Sequence, residues 1–584
     1  MSCKSFHVRR RIVPPAGMRM LPLAVASVVA GMPFMAGEAQ AFEIEGGDDV
    51  RMRFDNTVKY TAAWRLKNAD GFVANQDGGQ PNTDFGDLGF KKGLINNRLD
   101  ILSEFDLAYR NVGLRISGAG WYDAEYAGGR NDYPSAAGGL PNYQGGIPGA
   151  MAGGANDRLP EASRDVMGRY AEFGDAFVYG KFELGEQTLS LRAGRHTLIY
   201  GESLFLGANA IAAAQGPVDL VKALSLPNVQ FKEVARPVNQ VSGSLSLSEN
   251  VSIGGYLQFQ WKEHRLPAAG SYFSGADFVG PGADLLIHPF AAMSPGGSPF
   301  ASRGRDYKGS HGGQWGLQLK VRAGDVDYGI YAAHYDDKAP IAVVNVPSIA
   351  TGSGRFGGGV YNLMYAKDIS VYGVSASTVV GGINVAGELS TRRNVPLVVP
   401  GDLILNTSVA SPDNDRNTPY ARGNSLHLNL SAISVLPGNS LWDAASVVAE
   451  FAFNRVLGVT HRPAQDFFSS LNATHTRDAS AMRVVFQPEF FQVVPSVDLQ
   501  VPIGLGYGLG GRSAVVSLSP ERGGDFSIGI NATIDRTWQA GLNYTRYFGE
   551  AGAATSVKSV GPYASYQQYY KDRDFIAFSI QRTF

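Results

Sequence analysis

The chain of 584 residues contains one cysteine, Cys3. No disulfide can therefore form within it, and an exported protein of this size must draw its stability from elsewhere; a closed β-barrel is one source. No cysteine follows position 41 to accept a lipid anchor. Long apolar runs are also missing beyond Phe42, where no stretch approaches the roughly 20 residues of a membrane-spanning helix. If the chain crosses a bilayer it crosses as strands, because only helices and closed barrels satisfy every backbone polar group in lipid. A basic surplus is absent too. Lys plus Arg is 51 and Asp plus Glu is 52, which gives nucleic-acid binding no support.

What is present begins at the N-terminus. Lys4, Arg9, Arg10, Arg11 and Arg19 precede or flank the apolar run LPLAVASVVAGMPFMA, and Ala39-Gln40-Ala41 is a small-x-small site. This pattern predicts a signal peptide over 1–41, cut before Phe42 on the general export route, with Met18 or Met20 as alternative starts. Its removal leaves a net charge of about −5 and a single domain over 42–584.

The stretch NRLDILSEFDLAYRNVGLRISGAGWYD, from Asn97 to Asp123, carries the strongest pattern. Leu99, Ile101, Ser103, Phe105, Leu107 and Tyr109 share one face of a strand, and Arg98, Asp100, Glu104, Asp106 and Arg110 the other. The chain is predicted to turn over Asn111-Val112-Gly113 and return with Leu114 and Ile116 on the apolar side and Arg115, Ser117 and Asp123 opposite. Such a hairpin suits a transmembrane barrel with lipid outside and charge inside, and equally a half-buried pair in a soluble sandwich. The rest of the chain separates the two. Similar alternation recurs at 51–66, 169–183, 187–200, 238–248, 251–261, 314–322, 326–335, 369–378, 383–392, 423–436, 444–456, 479–488, 495–507, 525–534, 537–548 and 573–584, giving eighteen strands, with sixteen as the nearest alternative. Eight short and nine long connections alternate between them, as periplasmic turns and extracellular loops do in outer-membrane barrels. The expectation is an all-β fold, a transmembrane antiparallel β-barrel. Its last strand, DFIAFSIQRTF, ends on Phe584, resembling the C-terminal aromatic signal read by the outer-membrane assembly machinery; Arg582 departs from that pattern.

One long connection is apolar. Over 204–237, Leu204, Phe205, Leu206, Pro217, Asp219, Leu220 and Leu224 are predicted to form a constriction folded into the lumen, with a short helix opened by Pro217; a cap on the outer surface is the alternative. By strand parity, Arg53, Lys59, Arg98, Asp100, Glu104, Asp106, Arg115, Arg192, Lys320, Arg322, Glu388, Arg392 and Glu450 face the interior, and Glu202 joins them as a pore-lining candidate. They either select solutes or form a mixed-sign network that stiffens the wall. Arg195 is the exception, since straight parity sends it to the lipid side unless a bulge at Gly194 or a place near the rim intervenes.

Signs of catalysis are few. There is no Gly-x-Ser-x-Gly elbow and no His-Glu-x-x-His helix, and no cofactor or metal is predicted. The run GLGYGLGG at 504–511 has no helix after it and reads as a Gly-rich strand end. Asn75-Gln76-Asp77-Gly78 through Asp84 and Asp87 reads as an ordinary acidic loop before a calcium loop, since the terminal glutamate is missing.

Five segments in order, LINNRLDILSEFDLAYRNVGLRISGAGWYDAEY, GRHTLIYGESLFLGANAI, VQFKEVARPVNQVSGSL, VAGELSTRRNVPL and KDRDFIAFSIQRTF, resemble the domain-of-unknown-function 1302 family of proteobacterial outer-membrane β-barrel proteins. Tyr200 stands where that family usually has Trp before Gly-Glu-Ser. The resemblance implies a protein of the Gram-negative outer membrane whose genes often neighbour those of inner-membrane lipid-type exporters or of pathways degrading hydrophobic compounds. The expected function is passive passage of small, hydrophobic or amphipathic solutes. The alternatives are a non-conducting scaffold for an inner-membrane or periplasmic partner and a barrel-wall hydrolase. Outer-membrane lipid, a small-molecule solute and the assembly machinery acting on Phe584 are the expected partners.

Overall fold

A computed structural model of the protein describes residues 42–584 apart from 46–48, 75–81, 130, 134–157, 227–229, 288–299, 346–359, 407–408, 464–473 and 557–562. The signal peptide predicted over 1–41 and Asn75 to Gly78 thus lie outside the described residues. Eighteen antiparallel staves follow one another around a closed ring: β1 (Val50–Arg65), β2 (Gly93–Tyr109), β3 (Val112–Asp123), β4 (Arg169–Leu184), β5 (Gln187–His196), β6 (Val238–Ser246), β7 (Val251–Gln258), β8 (Gln314–Ala323), β9 (Val326–Tyr335), β10 (Ile369–Val380), β11 (Ile383–Pro396), β12 (Arg422–Leu436), β13 (Ala444–His461), β14 (Asp478–Val494), β15 (Val497–Gln500 with Ile503–Gly511), β16 (Gly524–Ile534), β17 (Trp538–Phe548) and β18 (Phe575–Thr583). The break inside β15 falls at Pro502, which has no N–H to give to a ladder. The ring closes where β18 pairs with β1, from Thr57 opposite Thr583 to Arg65 opposite Phe575. Asn56 and Phe584 then exchange backbone hydrogen bonds of 2.8 and 2.9 Å, so the C-terminal aromatic seals the seam.

Alternation explains the ring. Leu319, Ile330, Val374 and Leu389 meet in one cross-strand row on the outer wall. Ile330, Val374 and Leu389 are 54, 49 and 43% exposed. Burying one such side chain is worth about 1.5–3 kcal/mol, so a continuous apolar wall of this kind is stable only against lipid. Trp64 and Trp315 lie towards the long-loop end and Trp442 and Trp538 towards the short-turn end, the placement of aromatic girdles.

Short and long connections alternate as the sequence pattern predicts. Gly381 and Gly382 form a two-residue hairpin with φ of +57° and +83°, which only glycine adopts without strain. The β2–β3 turn sits earlier than predicted, at Arg110–Asn111, because Tyr109 already pairs with Val112. The long connections are far from irregular. Leu285–Ile287, Phe300–Arg303, Ile341–Asn345, Val360–Met364 and Leu403–Asn406, drawn from three of them, make a five-stranded sheet over the long-loop end, with Val343 and Val344 fully buried.

Candidate functional site

The lumen has two halves of different character. Towards the short turns, inward parity gathers charge from β2, β3 and β4. Arg115 lies 2.5 Å from Glu104 and 3.7 Å from each of Asp106 and Asp175, and the Tyr179 hydroxyl donates to Asp106 at 2.9 Å. These side chains face the barrel interior, yet Arg115, Glu104 and Asp106 keep 36, 31 and 32% of their surface accessible. In this half the charged side chains remain partly accessible. Above it Arg98 donates from Nε to both Asp100 oxygens at 2.9 Å and lies 4.4 Å from the Trp121 ring centroid. Lys59 sits beside Asp100 in the β1–β2 register. Arg53, Lys320 and Arg322 stand at the open rim, where Arg53 pairs with Asp55 and Arg322 with Asp327.

Towards the long loops the interior is filled. The connection between β5 and β6 folds onto the inner wall of β11, β12 and β13. Glu450 accepts from the backbone N–H of Leu204, Phe205 and Leu206 at 3.2, 2.5 and 2.8 Å, and from Ser203 Oγ and Asn429 Nδ2 at 2.7 Å. Glu388 accepts from the N–H of Glu202 and Ile211 at 2.7 and 2.8 Å. Arg392 donates to the carbonyls of Ala208 and Ala210 at 2.9 and 2.7 Å. A carboxylate held by several backbone N–H groups is a strong anchor. Glu388, Arg392 and Glu450 therefore lie beneath the docked segment, on the inward side that parity gives them, with their polar groups engaged by that segment. Glu202, on the segment itself, takes a hydrogen bond from Ser375 Oγ at 3.3 Å.

Tyr200 packs against Tyr256 and Tyr331 with ring centroids 5.6 and 6.2 Å away, a role for which Tyr serves where the family usually has Trp. The predicted helix of this segment falls at Leu220–Ser225, between shorter ones at Ile211–Ala214 and Phe231–Val234, and is capped by Asp219, whose side chain accepts from Lys222 N. Pro217 does not open it: Val218 instead bridges Ala235 in extended form. Leu224 packs on the aromatic cluster of Tyr272, Phe273 and Tyr570, while Phe205 lies 5.9 Å from the Arg483 guanidinium across the wall. Inside-facing Gly506 leaves room for the Arg483–Asp525 pair, so the Gly-rich 504–511 run belongs to stave β15.

At the long-loop end a buried charge network ties the connections to the barrel. Arg65 contacts Asp87 at 2.6 Å and Asp572 at 3.2 Å, and Arg573 lies 3.6 Å from Asp87 and donates to Tyr272 O and Ser274 O. Beside it, Asp277 Oδ2 accepts from the N–H of Asp84 and Phe85, and Tyr133 donates to Asp84. Burial pushes Asp277 up to about 7 and Asp572 to about 7; Asp84 is raised by burial and by the Asp277 charge.

A Ser425–His427–Asn209 chain imitates a hydrolytic triad, with His427 Nε2 2.8 Å from Ser425 Oγ and Nδ1 3.0 Å from Asn209 Oδ1. Ser425 and Asn209 are fully buried and His427 nearly so, sealed under the docked segment where no substrate carbonyl reaches. Their visible work is to fasten that segment to β12.

Several lumen residues escape the sequence pattern. Trp121 was legible from parity. Glu172 and Asp175 were not, because a bulge between Ile116 and Gly118 of β3 and their partners on β4 shifts the register. Gly194 takes φ +126°, and Arg195 after it, opposite Ala176 in the β4–β5 register, lies within electrostatic reach of Asp175. Lys262 and Arg265 come from a long connection without period.

The fold is similar to solved barrels: Pseudomonas aeruginosa OccK2 (OpdF), solved in complex with glucuronate (8% identity, 91% of this chain and 97% of that chain, TM-score 0.35); Acinetobacter baumannii OccAB1 (10%, 94% and 99%, 0.38); and OmpT, an outer membrane protein of Vibrio cholerae (8%, 94% and 100%, 0.34). At these scores the likeness adds nothing to the geometry above. No curated protein matches the chain. The family model described as protein of unknown function (DUF1302) matches residues 22–584.

Proposed function

The chain belongs to the DUF1302 family, and from that membership and the two-part lumen we propose a passive outer-membrane channel for small amphipathic or hydrophobic solutes. The observation that carries this reading is the accessible charge inside the barrel: Glu104, Asp106 and Arg115 keep about a third of their surface open to water beneath a constricting segment. In this reading the short turns face the periplasm, the long loops and their sheet face outward, and residues 1–41 are a cleaved export signal. No energy source is encoded, so flux follows the gradient or a partner that maintains it. We read the protein as non-enzymatic, in keeping with the sealed Ser425–His427–Asn209 chain.

The test is transport by purified protein in liposomes loaded with a self-quenching dye and exposed to graded solutes. Size-limited entry of aromatic and short-chain amphiphiles supports a channel. A barrel that inserts, shows its heat-dependent gel mobility and passes nothing supports the alternative of a scaffold for an inner-membrane or periplasmic export partner.

A further inference from the structure

The lumen's carboxylates and its cations are not used up evenly. Glu388 and Glu450 are taken by backbone amides. On the facing wall Glu172 holds Arg265 at 2.5 Å and Arg236 at 3.2 Å, and Asp219 holds Arg265 at 2.8 Å. Arg115 takes Glu104, Asp106 and, at 3.7 Å, Asp175, which also lies within electrostatic reach of Arg192 and Arg195 but outside ion-pair distance of either. Among the described residues no carboxylate stands within ion-pair distance of Arg192, Arg195 or Lys262. Arg195 goes further: its Nε is shut off from solvent with no acceptor at all. That desolvated guanidinium is short of acceptors, and since a molecule in the lumen cannot touch the closed-off Nε, an anion would meet its remaining N–H groups.

From these observations we infer that Arg192, Arg195 and Lys262 form an anion subsite in the lumen, which takes the carboxylate of a small aromatic or short-chain amphiphile. The subsite rests on the channel reading above and names the solute's charge. Its neighbours suit the body of such a molecule. The Phe177 ring centroid lies 5.8 Å from the Arg192 guanidinium, and Trp121 and Tyr170, 5.1 Å apart, cover the adjoining Arg265. A guanidinium offers paired donors that match a carboxylate, with an ammonium as a third point of charge. Burial, with Arg236, Arg195 and Arg265 close by and only Glu172 opposing, lowers Lys262 to about 8. A bound anion relieves that repulsion, and affinity therefore falls as pH rises through about 8.

Calorimetry on detergent-solubilised full-length protein tests this without requiring conduction. The probes are p-nitrobenzoate, the neutral p-nitrobenzyl alcohol and inorganic phosphate. We expect p-nitrobenzoate to bind, the alcohol not to bind, and phosphate to compete only at much higher concentration. Arg195→Gln with Lys262→Gln should weaken p-nitrobenzoate at least ten-fold, and Arg195→Lys with Lys262→Arg should restore most of it; heat-dependent gel mobility shows that each variant is folded. Equal binding of the alcohol, an unchanged affinity in the folded double Gln variant, or phosphate matching p-nitrobenzoate would overturn the inference. Binding as expected by a protein that passes no solute in liposomes would instead sink the channel reading and leave the subsite standing.

Discussion

Glu450 is the strongest single attachment of the lumen segment, and Glu450→Ala should release it. The carboxylate receives four hydrogen bonds from the segment: three backbone N–H groups and the Ser203 hydroxyl. Hydrogen bonds to a charged group contribute about 1.5–3 kcal/mol each. They are not additive, water reaches the freed amides, and Glu388 and Arg392 still hold Glu202, Ala208, Ala210 and Ile211. A net loss of about 3 kcal/mol is then reasonable, or roughly 150-fold in the docking equilibrium. Glu450→Gln, which keeps one carbonyl acceptor, should lose about half of that. Two assays read the effect: single-channel current in planar bilayers, which should become larger and noisier in the order wild type, Gln, Ala, and protease cleavage within 204–237, which should appear in the Ala variant. Unchanged current together with an uncut segment would refute the anchoring argument.

Three other outcomes follow from the same geometry. Asp84 and Asp277 are buried without an adjacent cation of their own, facing Tyr133, Asp87 and Arg573; with folded pKa values above the free ones, the folded cap binds protons that the unfolded chain has released. Its packing is therefore firmest below about pH 4 and loosens as pH rises through about 7. Amide protection in the 82–90 and 268–278 backbone, taken as the exchange rate relative to the unstructured chain at the same pH, should be lower at pH 8.5 than at pH 5.5, and Asp277→Asn should flatten the difference; equal or higher protection at the higher pH would contradict the pairing. Arg65→Ala takes from Asp87 and Asp572 their partner at 2.6 and 3.2 Å, leaving Asp87 with Arg573 at 3.6 Å, and should cost about 3 kcal/mol, read as a lower temperature for the folded-to-unfolded gel shift. Deleting Phe584 removes both backbone hydrogen bonds to Asn56 and should reduce the assembled barrel at the β18–β1 seam, measured as folded protein in membrane fractions.

The wall was legible in the sequence because lipid and water impose a period of two on it. Leu99 and Ile101 against Arg98 and Asp100 suffice to orient β2, and Arg53, Lys59, Glu104, Asp106, Arg115 and Arg192 all take the inward side. What the wall's residues touch was not legible. Glu388 and Glu450 carry the same inward parity as Glu104, yet they end under a loop whose backbone amides have no sequence signature. Arg195 shows the limit of parity itself: it pairs opposite Ala176, yet beside a glycine at φ +126° it lies within electrostatic reach of Asp175 and Lys262. The five-stranded sheet over the mouth is built from pieces of three to five residues in different connections, too short to show a period. The stretch through Asp84 and Asp87 reads in sequence as an ordinary acidic loop, and distant Arg65, Arg573 and Asp277 make it a buried interface.

The most direct test of a closed barrel narrowed by an inward segment is planar-bilayer conductance of the full chain beside a variant lacking 204–237. The account predicts small, stable steps for the full chain and a several-fold larger conductance for the deletion. Equal conductance in the two proteins, or silence from both after insertion is verified, would contradict it.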